Sequence, residues 1–99
     1  MTDLQCPATA VLLDGSADPP SWLERLRIAG HFEVKSTAER ASGVVALVEE
    51  MADVFRGETF VVTAGPEAIG QALRSQGVAG TAPIVVEIDS GGWHRVPDL

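Results

Sequence analysis

The stretch ETFVVTAGPEAIGQALRSQG, residues 58–77, decides the fold of this chain. Its residues 60–62 (Phe-Val-Val) are apolar at consecutive positions, as in a central strand that is covered on both faces. Gly65-Pro66 then makes a tight turn, because proline is accepted in the first turn of a helix. The next residues predict a short helix that Gly77 closes as its C-cap. This strand-turn-helix unit predicts an α/β domain.

A strand and a helix are predicted near the start of the chain. Residues 9–13 (Thr-Ala-Val-Leu-Leu) are a short apolar run that ends in turn residues, which is typical of a buried strand. Asp18-Pro19-Pro20 predicts a helix start. Trp22 and the apolar residues spaced after it would extend that helix to a C-cap at Gly30.

Residues 31–35 alternate between apolar and polar side chains, and they predict a half-exposed strand. Ser36 and Glu39 then form the pattern of a capping box, and the apolar spacing after it predicts a helix as far as Phe55. Residues 44–48 (Val-Val-Ala-Leu-Val) are also compatible with a strand, although Glu49 and the residues after it favour helix. Leu47 and Val54 widen the apolar stripe of that helix, which indicates deep burial or a partner surface.

The chain ends in a predicted hairpin. Residues 84–88 (Ile-Val-Val-Glu-Ile) form a strand, residues 89–92 a turn, and residues 93–96 an alternating strand. The element order β-α-β-α-β-α-β-β predicts one domain over residues 1–99: a small three-layer, flavodoxin-like α/β fold with a mainly parallel sheet and a C-terminal antiparallel hairpin. A sheet of this kind would run 2-1-3-4, with its topological switch between the first and third strands.

Ligands of open α/β sheets gather at that switch, outside the carboxyl ends of the strands. The loops there span residues 14–18 and 63–67, and the candidate ligand-binding residues are Asp14, Ser16, Thr63 and Gly65. An anion is disfavoured, because both loops carry carboxylates and neither contains Lys or Arg. Proline at position 66 also removes one of the free N–H groups at the helix start.

Composition excludes several functional classes. The net charge of −7 and the sequence pI near 4.5 disfavour nucleic acid and anionic membrane surfaces as partners. Cys6 is the single cysteine, so neither an internal disulfide nor a clustered zinc site is expected. We expect no cofactor, no metal and no catalytic residue, since His31 and His94 have no identifiable partner. The N-terminus does not resemble a signal peptide, and a cytoplasmic location is expected.

Two functions remain open from the sequence. The first is a non-catalytic regulatory or protein-interaction module of a bacterial cytoplasmic system, which would bind a protein partner or self-associate, for example as a dimer. Its interaction surface would be Trp93 and Val96, presented on one face of an edge strand. The alternative is a small-ligand-binding or enzyme-accessory domain whose site is formed by the 14–18 and 63–67 loops. The bacterial assignment rests on composition, because arginine outnumbers lysine six to one.

Overall fold

A computed structural model describes residues 7–34 and 41–96 of the chain. Within these ranges the chain forms five strands, two α-helices and one short 3₁₀ helix. They are β1 (Ala8–Asp14), the 3₁₀ helix (Ser21–Arg25), β2 (Ile28–Glu33), α1 (Ala41–Val54), β3 (Thr59–Ala64), α2 (Pro66–Ser75), β4 (Ile84–Asp89) and β5 (Gly92–Arg95). Neither α-helix is long and apolar enough to cross a membrane. The predicted capping box at Ser36 and Glu39 lies outside the described residues.

The five strands form one mixed sheet in the order β2-β3-β1-β4-β5. The neighbours β2, β3 and β1 are parallel, whereas β4 is antiparallel to β1 and β5 is antiparallel to β4. The predicted α/β class and the C-terminal hairpin are confirmed. The order 2-1-3-4 and the mainly parallel sheet are not: β3 lies between β1 and β2, and β4 runs in the opposite direction. Residues 76–83 are long enough to allow this reversal. Eight residues at about 3.3–3.6 Å each can run from the end of α2 back along the length of a six-residue strand to the start of β4.

The helix predicted from Asp18 to Gly30 is wrong. Only a five-residue 3₁₀ helix forms, and the chain is extended again at Leu26, with φ −94° and ψ 145°. β2 therefore begins at Ile28, three residues before the predicted strand, and Gly30 lies within it opposite Phe60. A Cβ atom at position 30 would lie 3.0 Å from the rings of Phe32 and Phe55, so these rings would have to shift to admit a side chain there.

The helix predicted over residues 44–48 is confirmed, and the competing strand interpretation is wrong. The wide apolar stripe of α1 is explained mainly by packing. Val44 and Val48 are fully buried, and Leu47 packs against the same core. Val54 is the exception, with 64% of its surface exposed.

Both α-helices cover one face of the sheet, the helical face. Its core contains the side chains that α1, α2 and alternate positions of the strands bury together, among them Ala10, Leu12, Val48, Phe60, Val62, Ile69, Leu73 and Val86. All three phenylalanines of the chain lie beside one another here, with ring centroids 5.8–6.3 Å apart. Such aromatic groups bury large apolar surfaces, so this face carries the main core.

The opposite face of the sheet has a thinner cover. Its four buried side chains, Val11, Leu13, Val61 and Val85, pack beneath half-buried apolar residues of the connection from β1 to β2. Residues 16–27 of that connection are called the strap, and the face beneath them the strap face. The predicted three-layer, flavodoxin-like fold is therefore not confirmed, because this face is covered by one 3₁₀ turn and its flanking chain instead of a helical layer.

The strand-turn-helix unit at residues 58–77 is as predicted. Pro66 occupies the first turn of α2 after Gly65, which has β-region dihedrals. At the other end Gly77 has φ +75°, its N–H donates to the carbonyl oxygen of Arg74, and the N–H of Val78 donates to that of Leu73. This pair of hydrogen bonds is a Schellman motif, which closes the helix and buries Val78 against it.

Candidate functional site

The carboxyl ends of β1 and β3 lie side by side and form the candidate site. Leu13 is aligned with Thr63, and Asp14 with Ala64. After β1 the chain turns to the strap face, whereas after β3 it enters α2 on the helical face. Adjacent strands whose connections leave to opposite faces define a topological switch point, where open α/β sheets leave a crevice.

The structure therefore brings together the four residues that the sequence singled out, Asp14, Ser16, Thr63 and Gly65. The predicted position does not depend on the strand order, because β1 and β3 are neighbours both in the predicted order and in the observed one. That these residues bind a ligand stays a prediction. We call this region the β1–β3 crevice.

The loop after β1 is held by its own hydrogen bonds. Asp14 Oδ1 accepts from the backbone N–H of Ser16 at 2.8 Å and from its hydroxyl at 2.7 Å. These two bonds lower the pKa of Asp14, the hydroxyl bond having the larger effect, because both favour the charged carboxylate. Gly15 N–H donates to the carbonyl oxygen of Ala64 at 3.0 Å, which ties the loop to β3. Asp14 is thus an ionised acceptor at a fixed position.

Two cavities flank the contact between Gly15 and Thr63. The first, of about 190 Å³, has mainly apolar walls and is lined by Leu13, Asp14, Gly15, Ala17, Asp18, Pro19, Pro20, Thr63 and Pro83. The second, of about 280 Å³, is lined by Gly15, Ser16, Glu33, Val34, Thr63, Ala64, Gly65 and Pro66. A Cβ atom at Gly15 would lie 3.2 Å from the Thr63 methyl group. Glycine therefore leaves more space between the two cavities than a larger residue would.

The charges around the crevice are negative. Asp14 and Asp18 line the first cavity and Glu33 the second, and the described lining residues include neither Lys nor Arg. Glu67 adds a carboxylate to the first turn of α2. A carboxylate at this end of a helix already interacts with the N–H groups that would attract an anion. The crevice is therefore suited to a cation or a hydrogen-bond donor.

A third cavity lies on the other side of the molecule, between α1 and the turn after β4. It measures about 290 Å³ and is lined by Glu49, Ala52, Asp53, Arg56, Ile88, Asp89 and Ser90. Arg56 and Asp53 form an ion pair at 2.6 Å, with both side chains mostly exposed. Exposed pairs of this kind contribute about 0–1 kcal/mol.

His94 has a partner that the sequence reasoning missed. Its Nε2 lies 3.1 Å from Asp89 Oδ1, which also accepts from the N–H of Gly91 at 2.7 Å. The hydrogen bond from Gly91 is the main cause of the lowered pKa of Asp89, with a smaller contribution from His94. The two-residue turn of the hairpin is Ser90-Gly91, with Asp89 opposite Gly92 and His94 opposite Glu87, so Asp89 and His94 are diagonal neighbours across the two strands.

The predicted interaction surface is arranged differently from the expectation. Trp93 and Val96 were expected on one exposed face, but an odd spacing places them on opposite faces of the sheet. Trp93 is 5% exposed and belongs to the core of the helical face, whereas Val96 packs half-buried at the strap face. Their placement on one face is wrong, and a role in partner binding stays a prediction.

Among the described residues, no three His, Cys, Asp or Glu side chains are grouped so that they could hold a metal ion. No protein-family model, no curated protein and no solved structure matches this chain.

Proposed function

We propose that this chain is a non-catalytic binding module whose site is the β1–β3 crevice. The observation that carries the proposal is the position of the two cavities, which meet at Gly15 and Thr63 at the switch point of the sheet. Ligand sites of α/β sheets are concentrated at such points. The ends of β1 and β3 lie side by side at the crevice, with Leu13 aligned with Thr63 and Asp14 with Ala64.

The crevice favours a small molecule with an apolar body and a positively charged head. The proline-rich walls of the 190 Å³ cavity offer apolar contact, and the Asp14 and Asp18 carboxylates stand at its edge. Asp14, like any carboxyl group of ordinary pKa, is ionised at neutral pH, and the bonds from Ser16 lower its pKa further. An ammonium group can donate to such a carboxylate in a charge-assisted hydrogen bond. Thr63 lines both cavities and is a further polar residue of the crevice.

A thermal-shift comparison tests this ligand class. Benzylammonium and butylammonium ions serve as probes, with benzoate and benzyl alcohol as size-matched anionic and neutral controls. A ligand at ten times its dissociation constant stabilises the folded state by about 1.4 kcal/mol. That is roughly 6–11 °C for a domain of this size, at about 4–8 °C per kcal/mol. We expect the ammonium probes to raise the melting temperature and benzoate to leave it unchanged.

Matched variants locate the effect. Asp14→Asn removes the charge but keeps an oxygen that can hold the Asx turn, and Asp18→Asn removes a carboxylate that makes no hydrogen bond in the described part of the chain. Glu49→Gln makes the same change of charge outside the crevice. We expect the shift to be lost in the two crevice variants and kept in Glu49→Gln. An equal loss in all three would mean general charge attraction and would refute the site.

The strap face favours a second candidate, the protein-interaction or regulatory module. One 3₁₀ turn covers four buried side chains there, and Trp22, Leu23 and Leu26 remain half-buried. A partner protein or a second copy of the chain could add to this thin cover. Size-exclusion chromatography with light scattering over a wide concentration range tests self-association, and Trp22→Ala should weaken it. A strict monomer that captures no partner would count against this candidate.

A further inference from the structure

The strap is anchored to the sheet at its two ends. Before it, Gly15 N–H donates to the carbonyl oxygen of Ala64, and after it Ile28 pairs with Thr59. At the start of the strap, the N–H groups of Ser16 and Ala17 and the Ser16 hydroxyl donate to Asp14, the last residue of β1. Beyond Ala17 the described hydrogen bonds are local: the N–H of Leu23 donates to the carbonyl oxygen of Pro20, and the N–H of Leu26 to that of Leu23. No described hydrogen bond joins residues 18–26 to the sheet that they cover.

No described ion pair adds to this attachment. Glu24, Arg25 and Arg27 are exposed, and none of them makes an ion pair within the part of the chain that the structure describes. Beyond Ala17, the described contacts that hold the strap over the buried side chains of the sheet are the apolar ones of Trp22, Leu23 and Leu26. All three side chains remain partly exposed to solvent.

The helical face differs in each respect. α1 and α2 are continuous helices with internal hydrogen bonds, and they contribute fully buried side chains such as Val44, Val48, Ile69 and Leu73. Segments with few buried apolar contacts and few long-range hydrogen bonds open at lower free energy than the core of a protein. We propose that the strap opens as a unit while the sheet and the helical face stay folded, and that this motion uncovers the strap face.

Opening of the strap also changes the β1–β3 crevice. Ala17, Asp18, Pro19 and Pro20, all in the strap, form one wall of the 190 Å³ cavity. A molecule bound in that cavity touches the closed strap and loses those contacts when the strap opens. It therefore favours the closed state, since a ligand shifts an equilibrium by its differential affinity for the two states. This coupling rests on the proposed function, whereas the opening itself does not.

Neighbouring valines on β3 provide a matched test. Val61 is 1% exposed and belongs to the strap face, while Val62 is fully buried on the helical face. Because Cys6 is the single cysteine, a Cys6→Ser background makes the introduced thiols unique. Val61→Cys and Val62→Cys are made separately, and the rate of reaction with a disulfide reagent is measured in the folded state. Labelling in concentrated urea gives the intrinsic rate, and urea unfolding gives the global stability of each variant.

The labelling rates are corrected for the intrinsic reactivity of each thiol and for the global stability of each variant. After these two corrections, we expect Val61→Cys to react at least about 100-fold faster than Val62→Cys, because exposure of position 61 requires only local opening. Its rate should also be nearly independent of low urea concentrations, since little surface is exposed. Trp22→Ala should raise the rate at position 61 and leave that at position 62 unchanged after the same corrections. Val85→Cys and Val86→Cys form a second pair on β4, with the same relation to the two faces, if either β3 variant fails to fold.

Equal corrected rates with the same urea dependence at both positions would overturn the proposal, because the strap would then open only on global unfolding. Benzylammonium ion tests the coupling separately. If it stabilises the protein but does not slow labelling at position 61 relative to position 62, the coupling is refuted while the opening stands. If it does not bind, the proposed ligand class fails, and the comparison between positions 61 and 62 still decides the opening.

Discussion

Two glycines of the same segment should respond to alanine in opposite directions. Gly70 lies inside α2, and the nearest atom to a new Cβ there is the Arg74 guanidinium nitrogen at 3.7 Å, an ordinary contact. Gly70→Ala should therefore stabilise the protein by about 0.8–1.0 kcal/mol, the difference between the two residues in a helix interior. Gly77 lies just past α2 with φ +75°, where an L side chain is strained.

The magnitude at position 77 combines two terms of opposite sign. The left-handed conformation costs a residue with a Cβ about 1–2 kcal/mol. The reduced entropy of the unfolded chain returns about 0.4–1 kcal/mol. Gly77→Ala should thus change the stability by between about zero and a loss of about 1.6 kcal/mol. The two variants should differ by about 0.8–2.6 kcal/mol, or roughly 3–21 °C in melting temperature.

Urea unfolding followed by far-UV circular dichroism measures both changes, and equal m-values show that the unfolding reaction itself is unchanged. Gly77→Asn is the control, because asparagine tolerates the left-handed region better than alanine does. It should lie between Gly77→Ala and the parent. A Gly77→Ala protein that is stabilised as much as Gly70→Ala would refute the left-handed conformation at residue 77 and with it the Schellman closure of α2.

Two further substitutions test other parts of the structure. Gly30→Ala places a Cβ atom 3.0 Å from the rings of Phe32 and Phe55 and should cost about 1–3 kcal/mol in urea unfolding; Phe55→Leu should reduce that cost, and an unchanged cost would contradict the ring packing. Asp14→Ala should cost more stability at pH 7 than at pH 2.5. The folded-state pKa of Asp14 is lowered, so its contribution is present above its ordinary pKa of about 3.9 and is lost as the pH falls through the folded value. Equal costs at the two pH values would contradict the hydrogen bonds from Ser16.

The sequence predicted best those elements whose signals are local. The strand at residues 60–62, the proline start and the glycine end of α2 each depend on neighbouring residues, and each is present as predicted. The same holds for the helix over residues 44–48, where the acidic residues after Val48 resolved an ambiguous apolar run.

The predictions that failed concern features that depend on contacts between distant parts of the chain. Trp22 and Leu26 fit a helical stripe, but in the structure Trp22 lies in the 3₁₀ turn and Leu26 in the extended chain after it, and both pack at the strap face. The alternating pattern of β2 begins before Phe32 and includes Gly30, a residue whose position in the sequence also resembles a helix C-cap. The direction of β4 depends on how residues 76–83 return to the sheet, and no periodicity records that path.

The position of the crevice survived these errors for a topological reason. A right-handed crossover places its connection on a face that depends on the direction in which the chain moves across the sheet. From β1 the chain moves past β3 to reach the parallel strand β2, and from β2 it moves back to the parallel strand β3, which is the opposite direction. The strap and α1 must then lie on opposite faces, and α2 packs with α1 in the core of the helical face, although β4 is antiparallel. The loops after β1 and β3 therefore leave neighbouring strand ends toward opposite faces, and the crevice lies between them.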